Sequence, residues 1–271
     1  MSDFEKKYYE SDEFWGKGMV SDGANMTRLH HTVALIPTDA HSLADIGCGN
    51  GLLGKLVMEK RSGITIMSVD RSEQALSYVQ TEKKIGDVTN IPLPDAAYDC
   101  VSCLQVLEHI PVNNYKTALA ELARVSKKYI LVSVPFNERI EKNTTQCPGC
   151  KTIFNVDLHL RSYTETDIKN LFTEQGFELK EFLNVVESNE LLGLRTYHKL
   201  KNRLTGKKPV FNSPICPLCG YENNQFAIIP EGGALAQVAT APQAGLKGFL
   251  KKIWPQRKVP GYWVIALYCK K

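Results

Sequence analysis

The chain has 271 residues, of which 43% are hydrophobic and 23% are charged, and its formal net charge is +4. These values are ordinary for a soluble globular protein, and the length is sufficient to bury a sizeable core. The first residues lack the apolar segment of a signal peptide, and no apolar run approaches membrane-spanning length. We therefore expect a cytoplasmic protein whose eight cysteines are thiols or metal ligands rather than disulfides.

A glycine-rich turn follows the first predicted strand. The strand Leu43–Ile46 runs into Gly47, Gly49 and Gly51, and a helical pattern begins at Leu52. Glycine is required where the backbone turns sharply and a ligand lies against it. A second strand follows and ends at Asp70, in a position suited to hydrogen bonding with a ribose diol. This order of elements predicts a nucleoside-binding βαβ unit.

The spacing Gly49-x-Gly51-x-x-Gly54 also fits a dinucleotide-binding turn. However, Asp45 at the tip of the first strand would repel a pyrophosphate, whereas it could help to hold an ammonium group. Downstream, Gly86–Leu93 precedes a strand that begins at Tyr98 and continues into Gln105-Val-Leu-Glu-His-Ile110. Together these segments resemble the class I S-adenosylmethionine (SAM) dependent methyltransferases over roughly residues 40–187.

This resemblance implies an α/β fold with a Rossmann-like, seven-stranded, mostly parallel sheet, helices on both faces and an antiparallel last strand. It also implies a cofactor site along the turns that follow the strands. The methionine end would lie against Asp45, Gly47, Cys48, Gly49, Asn50, Gly51 and Gln105, the ribose would bind Asp70 beside Arg71, and the adenine would lie between Asp87 and Val88.

The predicted domain organisation has two insertions in one core. Residues 1–37 form a helical segment, either packed on the core or acting as the lid that such methyltransferases often carry. The core spans 38–187 and 259–271, and the insertions span 143–160 and 188–258. Further predicted elements are a strand Lys128–Val134, a helix Thr164–Gln175 with a capping-box start, a strand Phe177–Val186 and a final strand Tyr262–Cys269.

Each insertion contains a Cys-x-x-Cys turn, which directs two thiolates toward one point. The first insertion follows the fifth strand of the core and the second follows the sixth, so both leave from the same edge of the sheet. We therefore expect the two turns to converge on a structural zinc ion bound by Cys147, Cys150, Cys216 and Cys219. Cys100 and Cys103 lie three apart within a strand and point to opposite faces, so they cannot share a metal.

Two histidines are candidates for a general base, since a hydroxyl nucleophile must lose its proton. His109 follows the fourth strand, and His159 follows the first cysteine turn. Either residue could instead have a structural role, and His159 could also be a zinc ligand. His30 and His31 lie in the N-terminal helical segment, where surface or packing roles are expected.

The leading hypothesis is O-methylation of a small molecule, such as a sugar, a glycan precursor or a secondary metabolite. An RNA methyltransferase is the alternative, because the basic residues within 195–208 could contact phosphates. The segment after the fourth strand lacks an Asn-Pro-Pro-aromatic signature, which argues against base methylation. A non-catalytic, zinc-organised scaffold is the third hypothesis. A basic and apolar segment, Leu246–Trp254, suggests peripheral membrane contact or, alternatively, a solvated connection.

Overall fold

The structure is a computed structural model, and it describes residues 23–142, 144–155, 157–185, 188–191, 216, 218, 219, 221, 256–259 and 261–271. Several expectations lie outside these residues. They concern residues 1–22 of the N-terminal helical segment, the basic residues within 195–208 and the segment Leu246–Trp254. In the part of the chain that is described, no helix is long and apolar enough to cross a bilayer.

Helices and strands alternate through the first half of the chain. The α-helices are α1 (Gly23–Leu35), α2 (Leu52–Lys60), α3 (Glu73–Ser77), α4 (Val112–Val125) and α5 (Glu165–Asn170). The strands are β1 (Ser42–Ile46), β2 (Thr65–Asp70), β3 (Glu82–Ile85), β4 (Tyr98–Leu104), β5 (Ser126–Pro135), β6 (Thr144–Gln146), β7 (Ile153–Asn155), β8 (Phe177–Val185), β9 (Ser188–Leu191), β10 (Gln256–Val259) and β11 (Trp263–Lys270). Short 3-10 helices span Leu107–His109, Ile140–Lys142 and Thr173–Gln175.

Seven strands form one sheet in the order β3-β2-β1-β4-β5-β11-β8. Strands β1 to β5 are parallel to their neighbours, and β11 is antiparallel to both β5 and β8. The predicted fold class is therefore confirmed. The turns that follow β1, β2, β4, β5 and β8 lie at one edge of the sheet, which is the edge where open α/β sheets bind their ligands.

Helices cover both faces of this sheet. Leu29 of α1 and Val57 of α2 belong to the apolar core of one face, and Leu122 of α4 and Phe172 belong to the core of the other. Cys100 lies in the first layer and Cys103 in the second, as predicted from their spacing along the strand.

Two elements differ from the sequence prediction. The helix predicted over Thr164–Gln175 is interrupted: α5 ends at Asn170, and a 3-10 turn closes the segment before Gly176. The interruption places Phe172 in the core, with its ring 5.1 Å from that of Tyr268. The capping box at Thr164 and Asp167 is present as predicted. The edge strand β3 was not predicted, because its four exposed residues carry no apolar alternation.

The insertions form small sheets of their own. Strands β6 and β7 make an antiparallel hairpin within the first insertion, and β9 pairs with β10 at the two ends of the second. At the base of the first insertion, Phe136 pairs with Tyr163, and Asn137 N donates to Tyr163 O at 2.9 Å. The first insertion is thus closed at its base by backbone contacts.

Candidate functional site

The turn between β1 and α2 has the backbone conformation that its glycines predict. Gly47, Gly49 and Gly51 all have positive φ angles, of 73°, 55° and 77°. A Cβ added at Gly47 would collide with the side chain of Val106, which follows β4. Glycine is therefore required here both by conformation and by the close approach of the neighbouring turn.

Asp70 ties this turn to the end of β2. Its carboxylate accepts hydrogen bonds from Gly49 N at 2.8 Å and from Ser72 N at 2.9 Å, and the residue is only 8% exposed. Burial raises the pKa of this carboxyl group, against the opposing effect of the two backbone N–H groups. Cys48, Asn50 and Arg71, which were also predicted to bind the cofactor, lie half-buried on the same two turns.

The predicted adenine-binding residues lie on the turn that follows β3. Asp87 accepts hydrogen bonds from the backbone N–H of Thr89 at 2.9 Å and from its hydroxyl group at 2.7 Å. Val88 is buried in the core layer that also contains Val69 of β2. The backbone of Gly86 donates to Asp70 O at 3.0 Å, so this turn is attached to the end of β2.

A buried arginine that the sequence analysis missed lies on α1, close enough to Glu108 and Asp45 for their charges to affect its pKa. Arg28 of α1 is 6% exposed, and its Nε and Nη1 atoms have no hydrogen-bond partner among the described residues. Burial lowers its pKa to about 10, while Glu108 and Asp45 act in the opposite direction. Asp45 accepts a hydrogen bond from Ser102 Oγ at 2.7 Å, and burial raises its pKa to about 6. The sequence signal that could have identified Arg28 was its position beside Leu29 on the apolar face of a helix.

The end of β4 is conformationally strained. Gln105 has a φ angle of 57° and donates from Nε2 to Ser133 Oγ at 3.3 Å. Asn137, which follows β5, and Leu158, in the first insertion, also have positive φ angles, of 51° and 59°. Such conformations are costly for residues other than glycine and tend to occur at functional sites.

The two candidate histidines meet at this same edge. The rings of His109 and His159 are edge to face with centroids 4.9 Å apart. His159 Nδ1 lies 2.5 Å from Glu138 Oε2, and His109 Nδ1 lies 3.3 Å from Leu158 O. Glu108 is fully buried beside both rings, and neither of its carboxylate oxygens has a hydrogen-bond partner among the described residues. We call these four side chains, Glu108, His109, Glu138 and His159, the imidazole cluster.

The two histidines have opposite electrostatic environments. Burial, assisted by the neighbouring His159, lowers the pKa of His109 to about 3. Burial alone would also lower the pKa of His159, but the hydrogen bond to Glu138 and its charge outweigh that effect and raise it. Burial raises the pKa of Glu108 to about 7. The sequence analysis had not singled out Glu108 or Glu138, whose roles depend on contacts between separate turns.

The four predicted zinc ligands converge. Cys147 Sγ lies 3.6 Å from Cys219 Sγ, and Cys150 Sγ lies 3.6 Å from Cys216 Sγ. The two turns share one geometry, since Cys147 N donates to Thr152 O and Cys216 N donates to Tyr221 O. Backbone N–H groups also point at sulfur, from Cys150 to Cys147 Sγ at 3.4 Å and from Leu218 to Cys216 Sγ at 3.5 Å.

The environment favours the thiolate form of Cys147 and Cys150, whereas burial and the neighbouring cysteines raise the pKa of Cys219 to about 12. The contact of Cys150 Sγ with Thr152, together with the backbone N–H of that residue, lowers the pKa of Cys150 to about 6. The four sulfur atoms lie within 4.8 Å of one another. We call Cys147, Cys150, Cys216 and Cys219 the four-cysteine cluster.

Comparison with known sequences identifies the domain. Residues 44–130 match the family described as "Methyltransferase domain". A probable S-adenosylmethionine-dependent methyltransferase of Mycolicibacterium smegmatis is 27% identical over 176 residues, which are 63% of each chain. A ubiquinone biosynthesis O-methyltransferase of Xanthomonas campestris is 26% identical over 95 residues, which are 32% of this chain and 40% of that protein. The chain thus spans less than two thirds of the length of these relatives.

The fold is also found among solved structures. The [4+2]-cyclase SpnF has a TM-score of 0.52 to this chain at 16% sequence identity, and the alignment covers 94% of this chain and 85% of SpnF. At this level of identity the likeness concerns the fold alone. The reaction must therefore be argued from the residues at the site.

Proposed function

Because the chain belongs to the class I SAM-dependent methyltransferases, we propose that it methylates a hydroxyl group of a small molecule. The acceptor would be a sugar, a glycan precursor or a secondary metabolite. The match to an O-methyltransferase of ubiquinone biosynthesis supports oxygen as the accepting atom. When bound, SAM supplies an electrophilic methyl group on a sulfonium centre.

The observation that carries the cofactor part of this proposal is a pair of buried, opposite charges, Arg28 on α1 and Asp45 on β1. Arg28 has two unpartnered donors, and Asp45 is a buried carboxyl group close enough to influence its pKa. Buried polar groups without partners are rare in native proteins unless a ligand or water satisfies them. An amino acid carries both a carboxylate and an ammonium group. We propose that Arg28 binds the carboxylate of the methionine moiety and that Asp45 binds its ammonium group.

The remaining cofactor contacts are proposed on the turns beside this pair. Asp70 would accept hydrogen bonds from the ribose hydroxyl groups, with Arg71 beside it. Asp87 and Val88 would lie on either side of the adenine, and Gln105 would contact the methionine moiety. Their position at the ligand-binding edge of the sheet supports this assignment.

We propose His159 as the general base. Efficient proton transfer requires a base whose pKa lies near the working pH. The contact with Glu138 raises the pKa of His159 and makes its ring the stronger base of the two, whereas His109, with a pKa of about 3, is a weak base that stays neutral. Most of the remaining rate enhancement would come from alignment of the hydroxyl oxygen with the methyl group.

We propose that the four-cysteine cluster binds one structural zinc ion. Zinc–thiolate bonds of about 2.3 Å in a tetrahedral site place the sulfurs roughly 3.8 Å apart, close to the two observed separations of 3.6 Å. Four thiolates leave no open position for water or acceptor. The ion would join the two insertions.

Calorimetry with SAM tests cofactor binding, and two glycine variants make the test specific. Gly47→Ala is expected to abolish binding, because the new methyl group collides with Val106 and the φ angle is positive. Gly63→Ala has the same backbone strain, with a φ angle of 84°, but its Cβ would meet no atom within 4 Å. This control should bind SAM normally at a cost in stability of about 1–2 kcal/mol. Absence of binding by the unaltered chain would refute the proposal.

The acceptor is tested with SAM labelled in its methyl group and a panel of sugars, phenols and lipid-linked hydroxyl compounds. Label that moves to oxygen of one class supports the proposal. Label recovered only in RNA would favour the alternative function, and SAM binding without transfer to any acceptor would favour a scaffold.

A further inference from the structure

His159 is held by a carboxylate from the other side of the first insertion. Glu138 follows β5, whereas His159 lies beyond the cysteine turn, and their side chains meet at 2.5 Å with 6% and 8% of their surfaces exposed. We propose that Glu138 is a positioning residue that keeps the proton of His159 on Nδ1 and leaves Nε2 to receive the proton of the acceptor. This inference rests on the proposed function of His159 as a base.

Backbone contacts hold both partners in place. Asn155 is 6% exposed, and its Oδ1 atom accepts hydrogen bonds from Asp157 N at 2.9 Å and from His159 N at 3.2 Å. Its Nδ2 atom donates to Ile140 O at 3.2 Å, two residues beyond Glu138. One buried amide therefore joins the segment that carries the acid to the segment that carries the histidine. Their separation does not depend on a flexible exposed side chain.

A further backbone contact holds the loop that carries His159. Leu160 N donates to Glu108 O at 2.8 Å, which attaches the loop of His159 to the 3-10 helix after β4. Because Nδ1 faces Glu138, Nε2 lies on the side of the ring that is directed away from that carboxylate. The arrangement resembles that of a catalytic triad, in which a carboxylate accepts a hydrogen bond from the imidazole Nδ1–H and so orients the ring.

Several titratable groups lie around His159, and the charges of Glu138, Glu108 and Asp157 raise its pKa. Glu138 lies between β5 and the first insertion, Asp157 belongs to that insertion, and Glu108 and His109 belong to the 3-10 helix after β4. Tyr262, just before β11, lies beside Glu138. Of these groups, Glu138 has the largest effect in raising the pKa of His159, and it opposes the effect of burial. Loss of its charge should therefore lower the proton affinity of the ring.

The proton balance of the transfer follows from this geometry. The acceptor O–H bond breaks as its proton passes to His159 Nε2, while the oxygen forms a bond to the methyl carbon and the carbon–sulfur bond breaks. The resulting imidazolium is stabilised by the Glu138 carboxylate, which keeps its own negative charge. The proton then returns to solvent, and His159 is neutral for the next turnover.

Nitrogen NMR of the imidazole rings tests the proposal without an acceptor. In the ¹⁵N-labelled chain, the His159 signals are assigned by their loss in His159→Ala, and their shifts report both the tautomer and the titration midpoint. In Glu138→Gln we expect the midpoint to move to lower pH by roughly one to three pH units. We also expect the preference for Nδ1–H to weaken. Glu138→Asp keeps the negative charge, so its titration midpoint and its preference for Nδ1–H should lie between those of Glu138→Gln and those of the unaltered chain.

The matched control is Glu141→Gln, which removes the same charge from an exposed position three residues further along. It should leave the His159 titration and tautomer unchanged. An unchanged His159 signal in Glu138→Gln, or an equal change in Glu141→Gln, would overturn the proposal. Calorimetry with SAM is carried out on each variant as an independent measurement. Normal binding shows that the variant is folded and that its cofactor site is intact. Loss of SAM binding in every form would refute the proposed function while leaving the pairing of Glu138 with His159 to be judged by NMR.

Once an acceptor is known, the pH profile gives a second readout. Glu138→Gln should lower kcat and move the acidic limb of kcat/KM to lower pH, with the KM for SAM unchanged. A change in the KM for SAM alone would contradict the positioning role.

Discussion

The ligand-binding edge of the sheet has two differently built parts. On the side proposed to bind the cofactor, the turns after β1, β2 and β3 are short, and their contacts are made largely by backbone N–H groups and glycines. On the side proposed to bind the acceptor, the chain leaves β5 and β8 in long insertions, and the contacts are made by buried charged side chains and cysteines. The first part depends on local conformation, whereas the second depends on long-range convergence.

This difference predicts that the two parts can be damaged separately. A change in the four-cysteine cluster or the imidazole cluster should spare SAM binding, because β1, β2 and their turns are closed by their own hydrogen bonds. A change in the glycine turn should impair SAM binding while the insertions keep their structure. The following predictions test that separation, beginning with the largest effect.

Metal removal should give the largest effect. We expect elemental analysis to find about one zinc per chain, and Cys216→Ser to lose it, because zinc sites of this type derive roughly 10–16 kcal/mol from binding. SAM affinity should stay unchanged. Cys269→Ser, at the end of β11, is the control and should retain the metal. A fully folded and active chain purified without chelator and without zinc would contradict the assignment.

Loss of the proposed base should act on turnover alone. His159→Ala is expected to reduce kcat by roughly 10²–10⁴-fold, the range for general base catalysis. Its affinity for SAM should be unchanged. His109→Ala should have a smaller effect on kcat, because the neutral His109 ring is a weak base. Equal losses of kcat in the two variants, or normal turnover in His159→Ala, would contradict the assignment of His159 rather than His109 as the general base.

The buried Glu108 should make stability depend on pH. Its pKa is raised to about 7, above the value of about 4.3 expected in the unfolded chain. A raised pKa contributes stability that is fully present below the unfolded-state pKa and is lost as pH rises through about 7. Glu108→Gln is neutral throughout, so we expect it to exceed the unaltered chain in unfolding free energy at pH 8, by on the order of 3 kcal/mol.

Denaturant unfolding at pH 5 and pH 8 measures this difference, and the gain should shrink toward the lower pH. Glu59→Gln, at an exposed position on α2, is the control and should show no such trend. A gain that is the same at both pH values would show that Glu108 is not protonated by burial.

Asp70→Ala should have the smallest effect and should act on the cofactor side alone. We expect SAM binding to weaken by about 1.5–3 kcal/mol, the range for hydrogen bonds to a charged group. Asp95→Ala, at a side chain that is 79% exposed, is the control and should bind SAM normally. Unchanged affinity for SAM in a folded Asp70→Ala chain would show that Asp70 does not bind the cofactor.

The same division explains what could be predicted from the sequence. The glycine turn, the strand that ends at Asp70 and the cap at Thr164 are encoded by neighbouring residues, and the structure has each of them. The four cysteines were also predictable, because Cys-x-x-Cys is a local signature and the order of the strands places both turns at one edge.

The missed features have long-range or weak signals. Arg28 meets Asp45 and Glu108 only when α1 packs beside the sheet, and Glu138 meets His159 only when the first insertion folds back. A single charged residue in an apolar pattern does not reveal its partner. The edge strand β3 has no apolar alternation, so its pairing with β2 had no sequence signal.

The position of β11 determines when the central sheet can be completed during synthesis of the chain. This strand lies between β5 and β8, and it is the last of the three in the chain. As the polypeptide leaves the ribosome, β5 and β8 emerge with the neighbouring edge still unfilled, and unpaired strand edges are sites of aggregation. Only the arrival of Trp263–Lys270 completes the hydrogen bonding on both sides. Chains released before this point should therefore depend on chaperones, even when their cofactor-binding half is already translated.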